Sequence, residues 1–173
     1  YLVKDLDMIS ELEKGRINIE FTTFNITALT QDVIDLLEIK AEKNNIKLTL
    51  NHPANQPVKV IGDIQKIQQV LINLVVNAIN YSNSNTEVTI NFTDADDKIK
   101  ISVEDQGVGI KQNDLDRIFE RFYRVDKSRN RNNGGSGLGL AIVKHILEAH
   151  KERINVKSKV NIGSTFYFFL KKG

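Results

Sequence analysis

The sequence predicts an α/β fold, a two-layer sandwich whose mixed, mostly antiparallel sheet carries three main helices on one face. Seven stretches alternate or cluster apolar residues as strands do: Ile17 to Phe24, Lys47 to Leu50, Val58 to Ile61, Glu87 to Thr93, Lys98 to Glu104, Ile154 to Ser158 and Thr165 to Leu170. Helical patterns over 28–43, over 64–81 and, after a glycine-rich run, through Ile142, Val143, Ile146 and Leu147 to about Ala149 stand between them, and strands interleaved with helices close into two layers around one core. With 173 residues, 40% of them hydrophobic, the chain is long enough for one well-buried core and a short appendage.

In chain order, Leu2, Leu6, Ile9 and Glu13 mark one face of a first helix with Gly15 as its C-cap. That helix is too short to bury itself and reads as the end of a longer one, so residues 1–15 are expected to belong to another module and 16–173 to form the main domain. Asn25 and Thr27 are candidate caps for the helix over 28–43. Asp63 is the N-cap for 64–81, where Ile64, Ile67, Leu71, Leu74, Val75 and Ala78 stand at core spacing. Asp94-Ala95-Asp96-Asp97 joins two strands; with no glycine where a calcium loop needs one, it reads as a hairpin turn. A short helix over 112–118 precedes Phe119, Phe122 and Tyr123, and Gly163 turns the chain between the last two strands.

Several function classes fall away on composition. There is no cysteine, so disulfides, thiolate metal sites and cysteine nucleophiles are excluded. No apolar run approaches the ~20 residues of a membrane span. A net charge of +2 makes no case for nucleic acid as a partner, although Arg121, Arg124, Lys127, Arg129 and Arg131 crowd one segment.

Two features ask for a chemical reason. The run Gly134-Gly135-Ser136-Gly137-Leu138-Gly139-Leu140-Ala141 leads into a helix, and glycine costs about 1 kcal/mol against alanine inside one. A helix start offers unpaired N–H groups to an anion. The run fits neither the Walker pattern nor G-x-G-x-x-G, and by itself it suits a tight loop as well as a phosphate cradle. The second feature is on the helix over 64–81, where Lys66, Gln69, Asn73, Asn77 and Asn80 form a narrow stripe. Asparagine is a poor helix former, and a merely solvated face would not favour it three times.

These features, taken with Asp105-Gln106-Gly107-Val108-Gly109 at a strand end, resemble one family. N-L-V-x-N-A-I-x-Y at Asn73 to Tyr81, D-x-G-x-G at Asp105 to Gly109, F-x-x-F-Y at Phe119 to Tyr123, G-x-G-L-G-L-A at Gly135 to Ala141 and G-S-T-F at Gly163 to Phe166 are similar, in order and spacing, to the N, G1, F, G2 and G3 boxes of the ATP-binding domain of sensor histidine kinases. The resemblance covers residues 25–170 and implies the Bergerat ATP-binding fold, with ATP and Mg²⁺ as ligands. By resemblance Asn77 is the Mg²⁺ ligand, Asn73 supports metal or phosphate, and Asp105 accepts from the adenine amino group. Gly107 and Gly109 let the base enter, Tyr81 stacks beside it, and Thr165 lines the pocket below it. Gly135, Gly137 and Gly139 present N–H groups to the phosphates, with Leu138 and Leu140 as anchors. Asn80, Ile110, Phe122, Tyr123, Arg124 and Ser136 complete the implied nucleotide contacts, Phe119 and Phe122 serving chiefly as packing and hinge residues of a lid over 124–135.

The resemblance further implies transfer of the γ-phosphoryl group of ATP to a histidine, a response regulator receiver domain as partner, a homodimer through dimerisation helices, and a cytoplasmic location with any membrane segments upstream. His52, His145 and His150 lack the sequence surroundings of the family's acceptor, which is therefore expected before Tyr1, with residues 1–14 as the tail of its hairpin. One position departs from the family: Asn80 stands where lysine or arginine is common, leaving Arg121, Arg124 or Arg131 as candidates for that charge. Two other readings remain at this level, a related clamp-type ATPase and a pseudokinase that binds ATP without transferring phosphate.

Overall fold

The computed structural model describes residues 2–15, 17–53, 56–125 and 137–173. Helix α1 (Leu2–Glu13) leads, followed by β1 (Thr22–Asn25), α2 (Ile26–Lys43), β2 (Ile46–Asn51), β3 (Lys59–Gly62), α3 (Ile64–Tyr81), β4 (Thr86–Ala95), β5 (Lys98–Asp105), α4 (Gln112–Leu115), α5 (Gly139–Ala149), β6 (Asn155–Lys159) and β7 (Gly163–Lys171). Five strands form a sheet in the order β2-β4-β5-β7-β6, with β2 parallel to β4 and every other pair antiparallel. A separate antiparallel pair, β1 and β3, lies at the side.

Strand alternation decides which face is covered. Val88, Ile90 and Phe92 of β4, Ile101 and Val103 of β5, and Phe166, Phe168 and Leu170 of β7 are buried together with Ile67, Leu71 and Leu74 of α3, Ile142 and Ile146 of α5, and Val33 and Leu37 of α2. This is the expected two-layer sandwich. The opposite face of the sheet carries Tyr167, with the Lys100 ammonium 4.4 Å from its ring centre. Helix α1 packs on α5 and buries Ile9, while Leu6, expected on the same face, stays exposed. Gly15 has the positive φ of a helix-ending residue.

Local chemistry sets the helix ends. Asn25 accepts from the Ala28 N–H at 3.0 Å, so α2 starts at Ile26, two residues before its expected start; Thr27 Oγ1 accepts from the Val58 N–H instead of capping. Asp63 caps α3 by accepting from the N–H groups of Gln65 and Lys66, and its other oxygen takes the Glu20 N–H. Buried His150 accepts the Asp63 N–H on Nε2 at 3.0 Å and therefore carries its proton on Nδ1, donated to the Ile146 carbonyl at 2.8 Å. Both ring nitrogens are thus committed to tying the end of α5 to the start of α3.

Three sequence expectations are corrected. The strand over 17–24 shortens to Thr22–Asn25, because its partner β3 supplies only four residues. Ile64, placed in the core, is 44% exposed, since it begins α3 beyond the edge of the buried face. The helix over 112–118 contracts to Gln112–Leu115 and continues as turns.

Leu74 is fully buried on α3. Leu74→Ala is expected to cost about 2–5 kcal/mol through lost transfer energy and the cavity left behind. Ile64→Ala should stay within about 0.5 kcal/mol. Urea denaturation of both variants checks the contrast.

Candidate nucleotide site

Helix α3 is the spine of the site. At its C-terminal end the Tyr81 carbonyl accepts from the Val108 N–H at 3.3 Å, and Ser82 bridges to Gly107. A Cβ on residue 107 would overlap that carbonyl oxygen, so only glycine lets the loop after β5 lie this close. Two turns earlier, Asn73 Nδ2 donates to the Gly139 carbonyl at the start of α5 at 3.2 Å, while its Oδ1 is held by Gln69 Nε2 at 2.9 Å. Asn77 stands midway, half-buried, one turn from each. At ~1.5 Å rise per residue, Asn73 and Tyr81 are about 12 Å apart along the axis.

Asp105 ends β5 on the buried face, only 5% exposed. Its Oδ1 accepts from the N–H groups of Gly107 at 3.0 Å and Ser164 at 3.2 Å, and among the described residues its Oδ2 accepts nothing. Burial pushes the carboxyl up to about 6 from 3.8, against those two N–H groups, which favour the charged form; neighbouring Glu104 adds to the rise. A desolvated carboxylate with one oxygen uncommitted suits a ligand N–H donor.

Behind this loop, Ser158 Oγ receives the Ile110 N–H at 2.7 Å and is also 2.7 Å from Ser164 Oγ. Gly109 has a positive φ and lies against the backbone of Lys159 and Val160 in the β6–β7 hairpin. Thr165 requires a correction. On β7 it alternates with buried Ser164 and Phe166, so it stands with Tyr167 and Phe169 on the face away from Asp105. Ser164, paired with Asp105 across the strands, is the residue beside the carboxylate. Strand period alone could have found it.

The glycine-rich start of α5 is built differently. Phe122 N–H donates to the Gly137 carbonyl at 2.8 Å, and both residues have positive φ. A Cβ on residue 137 would come within 2.8 Å of Phe122 Cα, so the crossing needs glycine there. Leu138 is fully buried, Leu140 half-buried, and α5 has no side-chain cap at its start. Phe119 packs edge-on against Phe166 at 6.3 Å, but the Phe122 side chain is exposed, so it contributes backbone here rather than packing. Tyr123 donates its hydroxyl to Asp114, which raises the phenol pKa, and Arg117 lies 4.5 Å over its ring.

Of the proposed cations, Arg121 pairs with Glu13 of α1 at 2.8 Å and Arg124 is half-exposed. Gly135, Ser136, Arg131 and most of the lid over 124–135 lie outside the described residues. The residues present fit a nucleotide with its metal, since Asn77 offers the neutral oxygen that a hard cation accepts beside phosphate.

The family described as "Histidine kinase-, DNA gyrase B-, and HSP90-like ATPase" matches residues 62–173. Over 165 residues the chain is 35% identical to a sensor-like histidine kinase, SenX3 of Mycolicibacterium smegmatis, covering 95% of this chain but 42% of that protein. Among solved structures, the catalytic domain of histidine kinase ThkA in a nucleotide-free form superposes with a TM-score of 0.76 at 34% identity, covering 88% of this chain and 96% of that one. A complex of ThkA with the response regulator protein TrrA gives 0.77 at 28% identity, covering 99% of this chain and 48% of that one.

Asp105 has a pH consequence of definite sign. Its folded pKa lies above the unfolded value, so the native state holds an extra proton between about pH 4 and 6 and loses stability as pH rises through that window. Asp105→Asn is expected to be more stable than the parent at pH 7.5 by on the order of 1 to 3 kcal/mol. Urea titrations should find the gap closing as pH falls toward 4.

Proposed function

Since the chain belongs to the family of histidine kinase-, DNA gyrase B- and HSP90-like ATPases, we propose that it serves as the catalytic domain of a sensor histidine kinase. In this reading it passes the γ-phosphoryl group of ATP to a histidine outside residues 1–173, for relay to the receiver domain of a response regulator. The carrying observation is that α3 is tied at Tyr81 to the Asp105 loop and at Asn73 to the start of α5, so that one helix measures the distance between base and phosphates.

Each group then has a task. Asp105 Oδ2 accepts from the exocyclic amino group of adenine, which favours the carboxylate and offsets its burial; a guanine carbonyl at that point would meet an acceptor. Gly107 and Ser164, holding Oδ1, fix the carboxylate plane. Ser164 thereby takes the pocket place that motif order assigns to Thr165. Tyr81 and Ile110 flank the base. The start of α5, around Gly139 and Leu140, turns the positive end of its helix dipole toward the phosphates.

Asn77, supported by Asn73, would hold Mg²⁺, which would supply charge to offset that of the phosphates. The acceptor imidazole nitrogen forms a bond to the γ-phosphorus as the bond to the ADP oxygen breaks, and ADP leaves with that electron pair. His150 is unsuited to accept, having both nitrogens engaged inside the fold. Helix α1, docked on α5, is assigned to the end of a dimerisation hairpin through which a homodimer would form, with this domain on the cytoplasmic side of the membrane. Relatives more than twice this length support that assignment.

The purified domain with labelled ATP should not label itself, but should label a separately supplied dimerisation hairpin carrying the histidine, giving acid-labile phosphohistidine. Asn77→Ala should remove the Mg²⁺ dependence of ATP affinity in calorimetry, and Asp105→Asn should weaken ATP binding by roughly tenfold or more. Label on His145 or His150, or unchanged affinity in both variants, would overturn the reading.

A further inference from the structure

The last stretch of the chain is charged in one sense only. From Arg153 to Gly173 it carries Arg153, Lys157, Lys159, Lys171 and Lys172 and no aspartate or glutamate. Strand phase sorts these side chains. Val156 and Phe166 pair across β6 and β7 on the covered side of the sheet, so Lys157 and Lys159 of β6 stand on the outward face with Tyr167 of β7. Lys100 of β5 joins them there: its ammonium is 4.4 Å from the Tyr167 ring centre, and that of Lys157 is 5.7 Å from it. On the outward positions of β5, β7 and β6, Glu104 is the one carboxylate. Lys100, Lys157 and Lys159 are in no ion pair among the described residues, whereas Lys98 and Lys172, at the other end of the sheet, are taken up by Glu152 and Asp94.

Beyond Lys159 the chain turns back through Val160, Asn161 and Ile162, and at this tip Val160 is 45% and Ile162 61% exposed. The turn is firmly built. The Ile162 N–H donates to the Lys159 carbonyl at 3.0 Å, Asn161 holds a positive φ, and the Asn161 N–H donates to the Val108 carbonyl at 2.8 Å. A tip fixed in this way loses little freedom on contact. Two aliphatic side chains at a turn, with lysines immediately behind them, match a layered environment of hydrocarbon in front and anionic groups a few Å behind. An acidic protein segment would meet the lysines and leave the aliphatic tip in water.

We propose that the β6–β7 hairpin seats on an anionic lipid surface. Val160 and Ile162 enter between the headgroups, Lys157 and Lys159 stay at the level of the lipid phosphates, and Lys100 lies further back on the same face. The docking is weak and reversible: each lysine near an anionic bilayer gains about fivefold in partitioning, and two short aliphatic side chains add less than one acyl anchor does. The tie from Asn161 to Val108, with Gly109 lying against Lys159 and Val160, places the bound surface beside the loop that follows Asp105.

The test uses the whole chain without nucleotide, so its outcome is independent of the kinase reading. The sequence has no tryptophan, so Ile162→Trp places one fluorescent reporter at the tip. Vesicles of phosphatidylcholine with about 30% phosphatidylserine should shift its emission to the blue and sediment with the parent chain, and vesicles of phosphatidylcholine alone should bind at least about tenfold more weakly. Lys157→Glu combined with Lys159→Glu should weaken binding by about thirtyfold or more. Val160→Ser combined with Ile162→Ser should weaken it by roughly tenfold, with the circular dichroism and melting point of both double variants unchanged. No blue shift on the anionic vesicles, vesicle binding unchanged in either double variant, equal binding to the neutral vesicles, or a glutamate-rich peptide that shifts the reporter as the vesicles do would overturn the proposal.

Discussion

The close passage of Gly107 beneath the carbonyl of Tyr81 is the constraint on which the site depends. It leaves no space for a Cβ, and it fixes the loop after β5 to the end of α3 through the Val108 N–H and the bridge at Ser82. With the loop held there, Asp105 cannot swing into water. Its carboxyl remains buried between Gly107 and Ser164, with the pKa rise that burial brings. The same helix reaches the start of α5 through Asn73 and the Gly139 carbonyl, so one element sets the distance between the Asp105 loop and that helix start.

Helix α3 was legible in the sequence almost to the residue, because an apolar period, an Asp63 cap and a polar stripe all agree there. Elsewhere a single signal stood alone. The alternation over 17–24 says that a strand is possible, but the length of β1 is set by β3, which the sequence does not pair with it. Thr165 was placed by motif order, whereas strand phase, readable from Phe166, Phe168 and Leu170, puts Ser164 beside Asp105. The Asn73–Gly139 contact joins residues 66 apart and has no local signature.

The two ends of the nucleotide site rest on opposite electrostatic strategies. At the base end a carboxylate is desolvated and waits for an N–H donor to favour its charge. At the end proposed for the phosphates, neutral amides and a helix start offer donors to a charged group. Asn80 in place of a basic residue continues that pattern on α3, and leaves the neutralising charge to be supplied from outside the helix.

Paramagnetic broadening by ATP loaded with Mn²⁺ tests the central claim, that α3 holds phosphates and metal near Asn77 and the base near Asp105. In amide spectra, Asn73, Asn77 and Gly137 to Leu140 should broaden first, while Asp105, Gly107 and Ser164 shift in position but keep their intensity longer. Broadening centred on Asp105, or elsewhere with α3 untouched, would contradict the account.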